Sequence, residues 1–90
     1  MPVTVEIPTV LRGLTDGERT VTAAGVDLAA AISDVDTRHS GFAERLLDAG
    51  ELRRFINIYV NDEDVRFLDG LKTTLADGDV VTVLPAVAGG

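Results

Sequence analysis

The chain contains no cysteine and a single histidine among its 90 residues. The lack of cysteine excludes a disulfide framework, a thiolate nucleophile, a cysteine-ligated zinc and a cysteine-held iron–sulfur cluster. The one histidine, His39, has no second histidine or cysteine to pair with, and it falls at a predicted helix end, where a cation complements the helix dipole. The sequence therefore offers little side-chain material for nucleophilic or metal-dependent catalysis.

Basic residues are also scarce, since eight Lys and Arg stand against fifteen Asp and Glu, for a formal net charge of −7. This charge argues against nucleic acid as a partner, because phosphate backbones would be repelled. It predicts instead that a partner protein presents a basic surface. No apolar run approaches the roughly 18 residues of a membrane helix, and the first residues lack a signal-peptide pattern, so we expect a cytoplasmic protein without membrane contact.

What the chain does contain is aliphatic material, with hydrophobic residues making up 46% of the sequence. This content suffices for one core, and a chain of this length builds one domain. Alternation of Val3, Val5 and Ile7 with polar residues predicts a first strand with one buried face. After a turn at residues 15–17, residues 19–23 predict a second strand that completes an N-terminal hairpin, with Val21 and Ala23 directed inward.

One long helix is predicted over residues 27–39, with Asp27 as its N-cap. Its core-facing residues, at helical spacing, are Leu28, Ala31, Ile32 and Val35. A short helical segment or turn is expected over residues 42–47, with Phe42, Leu46 and Leu47 toward the core.

The strongest strand signal lies at residues 55–60. Its two predicted faces carry Ile56, Ile58 and Val60 on one side and Phe55, Asn57 and Tyr59 on the other. A short strand is predicted around residues 65–67, and a last strand over residues 80–84, which Pro85 would end.

This order of elements predicts an α+β fold with a mixed sheet and one main helix packed on one face. A right-handed crossover places the last strand parallel to the first at the sheet centre, which is the β-grasp, or ubiquitin-like, architecture. We expect residues 1–85 to form this domain and residues 86–90 to form a flexible, extended C-terminal tail ending in Gly-Gly.

The C-terminal tail is the strongest candidate for a chemical role. Proline and small residues favour an extended segment, and Gly89 and Gly90 lack a Cβ, so the tail could enter a channel too narrow for other residues. The main-chain carboxylate of Gly90 would then be the reactive group, and Val87, Ala88 and Gly89 would give it access. Taken alone, the dipeptide is also compatible with a frayed terminus, but its position directly after the last strand of a β-grasp favours function.

A carboxylate is a poor electrophile, so chemistry at Gly90 requires activation, most simply as an acyl adenylate made by a separate ATP-dependent enzyme. We therefore expect a protein co-substrate rather than an enzyme, with no bound cofactor or metal. The acidic run at residues 62–64 falls at a predicted turn and lacks the spaced ligands and glycine of a calcium loop.

Four segments carry a resemblance to a known family: Val3-Thr4-Val5, Asn57-Ile58-Tyr59-Val60-Asn61, Asp77-Gly78-Asp79 and Pro85-Ala86-Val87-Ala88-Gly89-Gly90. Over its full length the sequence resembles the MoaD/ThiS family of ubiquitin-like sulfur carriers. Within the family, residues 54–67 are similar to the actinobacterial CysO-type branch, which serves cysteine biosynthesis. Ala86 stands where molybdopterin-type carriers often have a second proline, so that pathway is less favoured.

The resemblance implies that an adenylyltransferase related to ubiquitin-activating enzymes uses ATP to adenylate Gly90 and that the product becomes a thiocarboxylate. Its sulfur then passes to an acceptor on a biosynthetic synthase. In the cysteine branch the acceptor is an activated serine on a pyridoxal-phosphate enzyme, and a metalloprotease releases the product. Partners would also dock on the body, and Phe55, Tyr59 and Leu84 are the predicted docking residues, unless the helix or residues 42–47 cover the rings.

Two other functions fit the same sequence. Gly90 could form isopeptide bonds with lysines of other proteins, as a ubiquitin-like modifier does, or the chain could be a non-covalent β-grasp adaptor that needs no free terminus. The identity of the final sulfur acceptor is open at this level.

Overall fold

The structure, a computed structural model, describes residues 2–85. The described chain contains seven strands, two α-helices and three 3₁₀ helices. The strands are β1 (Pro2–Glu6), β2 (Thr20–Ala24), β3 (Leu47–Asp48), β4 (Glu51–Leu52), β5 (Ile56–Val60), β6 (Glu63–Asp64) and β7 (Val80–Pro85). The α-helices are α1 (Leu28–Arg38) and α2 (Phe42–Leu46), and three 3₁₀ helices span Thr9–Thr15, Val65–Phe67 and Gly70–Lys72.

The main sheet has the order β2-β1-β7-β5-β6, so the last strand lies at its centre. β7 runs parallel to β1, with Val5 opposite Val81, and antiparallel to β5, with Ile58 opposite Val83. The predicted placement of the last strand beside the first is therefore confirmed. With α1 packed on one face, the architecture is the predicted β-grasp.

Helix α1 is held by the N-cap that the sequence predicts, because the Asp27 carboxylate accepts a 2.8 Å hydrogen bond from the backbone N–H of Ala30. The helix ends at Arg38, and His39 is its C-cap residue. The predicted apolar face of α1 is buried, as are the inward residues of the central strands. The core contains Val3, Val5, Ile7, Val21, Ala23, Leu28, Ala31, Ile32, Val35, Phe42, Leu46, Ile56, Ile58, Val60, Val81 and Val83.

The predicted strand at residues 65–67 is wrong, since Val65–Phe67 is a 3₁₀ helix. Asn61 and Asp62 both have positive φ, 50° and 71°, which closes a two-residue hairpin between β5 and β6. The Asp64 carboxylate then accepts a 2.8 Å hydrogen bond from the backbone N–H of Arg66. This local capping bond turns the chain into the 3₁₀ helix and ends β6 after two residues.

The connection between β1 and β2 also differs from a tight hairpin. The two strands pair antiparallel as predicted, but the 3₁₀ helix Thr9–Thr15 lies between them and buries Leu11. The predicted turn follows it, with Asp16 and Gly17 at φ of 54° and 83°. Arg12 of this 3₁₀ helix and Arg19 after the turn come close to the end of β1.

Residues 2–85 include no helix with the length and apolar character needed to cross a membrane. The same part of the chain contains no cluster of three or more His, Asp or Glu side chains placed to hold a metal ion.

Candidate functional site

The predicted tail residues Val87, Ala88, Gly89 and Gly90 lie outside the residues that the structure describes. The position from which the tail begins is described, because β7 extends to Pro85, which lies opposite Ile56 of β5. The site can therefore be built from the carboxyl end of β7 and the residues around it.

The register of β7 is set at its opposite end by Asn61 and Asp79. The Asp79 carboxylate accepts a 2.8 Å hydrogen bond from the backbone N–H of Ala76 and a 2.9 Å bond from the Asn61 side-chain amide. These two donors favour the ionised form and hold the pKa of Asp79 below its ordinary value. The Asn61 side-chain oxygen in turn accepts a 3.0 Å bond from the backbone N–H of Val80, the first residue of β7.

The turn at Asp77-Gly78-Asp79 also connects β7 to β1. Gly78 has a φ of 87°, a conformation that residues with a Cβ rarely adopt, and its N–H donates to the carbonyl of Pro2 at 3.0 Å. The N–H of Thr4 donates to the carbonyl of Asp79 at 3.0 Å. The turn motif and Asn61 thus have a structural role, which is to fix where β7 starts and hence where its carboxyl end leaves the sheet.

Two surface grooves border the carboxyl end of β7. The first groove, of about 890 Å³, lies on the β5 side, and the second groove, of about 350 Å³, lies on the β1 side. The first is lined by Val10, Leu11, Glu44, Arg45, Asp48, Arg53, Arg54, Phe55, Ile56 and Pro85. The second is lined by Glu6, Ile7, Pro8, Arg12, Arg19, Thr20, Thr82, Val83 and Leu84.

The predicted docking residues are distributed over these surfaces rather than gathered in one groove. Phe55, 61% exposed, lines the first groove, whereas Leu84, 45% exposed, lines the second. Tyr59 is half-buried, lies opposite Thr82 in the sheet and lines neither groove. Neither α1 nor α2 buries the Phe55 side chain. The docking role of Phe55 stays a prediction.

The functional candidates that sequence reasoning missed are arginines. Arg45, Arg53 and Arg54 line the first groove, and Arg12 and Arg19 line the second. The Arg53-Arg54 pair directly before Phe55 was a visible signal, but the other three are far apart in the sequence. Their grouping around the end of β7 contrasts with the prediction, made from the net charge, that a partner protein presents a basic surface.

Comparisons with known proteins agree with this architecture. A model of the ThiS family matches residues 5–90. The sulfur carrier protein CysO of Mycobacterium tuberculosis (strain ATCC 25618 / H37Rv) is 60% identical over 93 residues, covering 100% of both chains. A chain in the crystal structure of the Amycolatopsis orientalis BexX/CysO complex superposes with a TM-score of 0.94 at 56% identity, covering 98% of this chain and 99% of that one.

A relative of lower sequence identity is named as a modifier protein rather than as a sulfur carrier. Small archaeal modifier protein 3 of Haloferax volcanii is 42% identical over 69 residues, which cover 72% of this chain and 75% of that protein. The match of the family model to nearly the whole length, together with the full-length identity to CysO, is decisive. The chain belongs to the ThiS family of ubiquitin-like β-grasp proteins.

Proposed function

We propose that this chain is a sulfur carrier whose Gly90 carboxylate is adenylated by an ATP-dependent activating enzyme and then converted to a thiocarboxylate. The observation that carries the proposal is the full-length, 60% identity to a sulfur carrier protein on a fold whose central strand ends where the tail begins. The body supplies a fixed point of exit, and the partner enzymes supply the catalytic groups.

The chemistry has two steps. A carboxylate oxygen of Gly90 attacks the α-phosphorus of ATP, so that an acyl–phosphate bond forms and pyrophosphate leaves. Hydrosulfide then attacks the carbonyl carbon, the bond to AMP breaks, and the proton is lost to solvent, which leaves the thiocarboxylate. No electrons are gained or lost in either step when the sulfur donor is hydrosulfide.

The length of the tail limits how the partners bind. Five residues follow Pro85, and extended residues span at most about 3.3–3.6 Å each, so a five-residue tail can reach at most roughly 18 Å from the end of β7. An activating enzyme with a buried nucleotide site must therefore contact the body as well as the tail. The two grooves beside Pro85 and Leu84 are the described surfaces nearest to that contact.

Two further partners belong to the proposal. A biosynthetic synthase accepts the sulfur, and cysteine biosynthesis is the pathway favoured by similarity to CysO. A metalloprotease that releases the product follows from the same pathway. The solved BexX/CysO complex supports the idea that this chain also binds a partner protein as a folded unit.

A second candidate function is conjugation to lysines of other proteins. It is supported by the 42% identity to small archaeal modifier protein 3. Both functions begin with the same adenylate, and they differ in the nucleophile that displaces AMP, which is hydrosulfide for a carrier and a lysine amine for a modifier.

Reconstitution tests the first candidate. The purified chain is incubated with its cognate activating enzyme, ATP and sulfide, and analysed by intact mass spectrometry. We expect the mass to rise by the difference between sulfur and oxygen, and to stay unchanged when ATP is omitted. Pyrophosphate release without any sulfur incorporation would contradict the carrier function and leave the modifier function as the better proposal.

A further inference from the structure

We propose that Arg12, Arg19, Arg45, Arg53 and Arg54 form a cationic collar around the tail exit, which docks on an acidic surface at the mouth of the activating enzyme's channel. This inference rests on the proposed function, because it requires that the tail enter a partner. The geometry that points to it is the placement of all five arginines in the two grooves that border the end of β7.

The charge of the collar is opposite in sign to the net charge of the chain. The grooves contain five of its eight basic residues but only three of its fifteen acidic residues, Glu6, Glu44 and Asp48. Three basic and twelve acidic residues therefore lie elsewhere. The residues that line the two grooves thus carry a formal net charge of +2, and the other residues of the chain carry −9.

No collar arginine forms an ion pair within the described chain, although Glu6, Glu44 and Asp48 line the same grooves. The Nε–H of Arg53 donates to the carbonyl of Glu44 at 3.0 Å, and the Nε–H of Arg12 donates to the carbonyl of Ile7 at 3.1 Å. These backbone acceptors orient the guanidinium groups but carry no formal charge. The ion pairs within residues 2–85 are those of Arg38 with Asp34 and Arg66 with Asp64, and neither includes a collar residue.

The two other arginines have local structural uses instead. Arg38 donates to the carbonyl of Thr22 at 2.6 Å and so caps the open edge of β2, while Arg66 donates to the carbonyl of Ile56 at 2.8 Å. Arg19, Arg45 and Arg54 are exposed, and within residues 2–85 their side chains form no hydrogen bond to the protein. They are therefore available to a partner.

An acidic protein surface is the occupant that these charges fit. Exposed Val10 and Phe55 lie among the arginines of the first groove, and an aromatic side chain flanked by arginine is a composition typical of protein interfaces. An extended polyanion such as nucleic acid would meet the negative remainder of the body. A local acidic patch on the enzyme contacts only the collar. Repulsion between that patch and the acidic remainder of the body favours encounters in which the tail points toward the enzyme.

The short tail makes the collar part of the contact. Because a five-residue tail can reach at most roughly 18 Å from the end of β7, a buried nucleotide site brings the channel mouth close to both grooves. The charges on the two surfaces then act at distances comparable to the Debye length, about 10 Å at 0.1 M salt.

The test is the kinetics of pyrophosphate release by the cognate activating enzyme with Arg19→Glu, Arg45→Glu and Arg54→Glu, singly and combined. We expect each single variant to lower kcat/KM by about 3- to 10-fold at low salt and the triple variant by about 100-fold, with kcat at saturating carrier unchanged, since rim charges act mainly on association. The loss should shrink as salt is raised. Arg54→Lys, which keeps the charge, should stay within about 2-fold of wild type.

Lys72→Glu is the matched control, because Lys72 is exposed, lies outside both grooves and forms no ion pair within the described chain. It changes the net charge equally and should leave kcat/KM within about 2-fold of wild type. Thermal melting of each variant confirms that it is folded.

Equal losses in Lys72→Glu and Arg54→Glu would overturn the collar, as would unchanged or increased kcat/KM in the collar variants. Failure of the proposed function gives a different result: with the wild-type chain, the activating enzyme either releases no pyrophosphate at any carrier concentration or releases it without sulfur incorporation.

Discussion

Deletion of Gly90 should abolish adenylation and leave the fold intact. The deletion removes the proposed reactive carboxylate from its position and leaves a shorter chain that ends in Gly89. The core, and the pairing of β7 with β1 and β5 up to Pro85, are formed by residues that the deletion does not change. Pyrophosphate release with the activating enzyme measures the loss, and thermal melting should give a midpoint within about 1 °C of wild type, since removing one terminal residue buries or exposes little surface.

Adding one alanine after Gly90 tests the same claim without shortening the chain. The carboxylate then belongs to a residue with a Cβ and lies one residue further from β7, so adenylation should again be lost. One alanine added at the amino end is the control and should be adenylated normally. Retained function in the capped chain would eliminate both tail-dependent functions and favour a non-covalent adaptor, and a large fall in the melting midpoint would show that the tail contributes to the fold.

Phe42→Ala should have the largest effect on stability. The Phe42 ring is 0% exposed and packs in the core at the start of α2. Truncating a fully buried phenylalanine removes its transfer free energy and leaves a cavity, at a cost of about 3–5 kcal/mol in the free energy of unfolding. Because small domains are stable by only about 5–15 kcal/mol, the variant would lose a large share of its stability.

Phe67→Ala is the matched control, with the same chemical change at a ring that is 87% exposed. It should change the free energy of unfolding by no more than about 0.5 kcal/mol. Urea denaturation of both variants measures the difference. Similar losses in the two would mean that α2 is not anchored in the core, and that Glu44 and Arg45 of the first groove are not held in place as described.

Much of the fold could be predicted because the local signals agree with the tertiary structure. The helix predicted over residues 27–39 is observed as Leu28–Arg38 with Asp27 and His39 as its caps, since the capping side chain and the apolar face indicate the same limits. The central strands were evident from alternation with one buried face. The strand predicted at Val65–Phe67 is a 3₁₀ helix, because apolar residues suit either structure and the hydrogen bond from the Arg66 N–H to the Asp64 carboxylate favours the helix.

The candidate site was predicted only in part. The Gly90 carboxylate as the reactive group stays a prediction from residue types and from the family resemblance, whereas the family assignment supports a carrier rather than an enzyme. The collar could not be predicted, because the net charge of a chain does not show where its charged residues lie on the folded surface. Arg12, Arg45 and Arg54 come from a 3₁₀ helix, from α2 and from the loop before β5, and tertiary folding alone brings them to the end of β7.

The central claim is that Gly90 carries sulfur on a free chain, and the most direct test is intact mass spectrometry of the protein isolated from its native host during growth on a limiting sulfur source. We predict a population of the unconjugated chain whose mass exceeds that of the unmodified chain by sulfur minus oxygen, and that this population disappears when the activating enzyme is deleted. A ladder of conjugates to other proteins with no sulfur-containing free chain would contradict it.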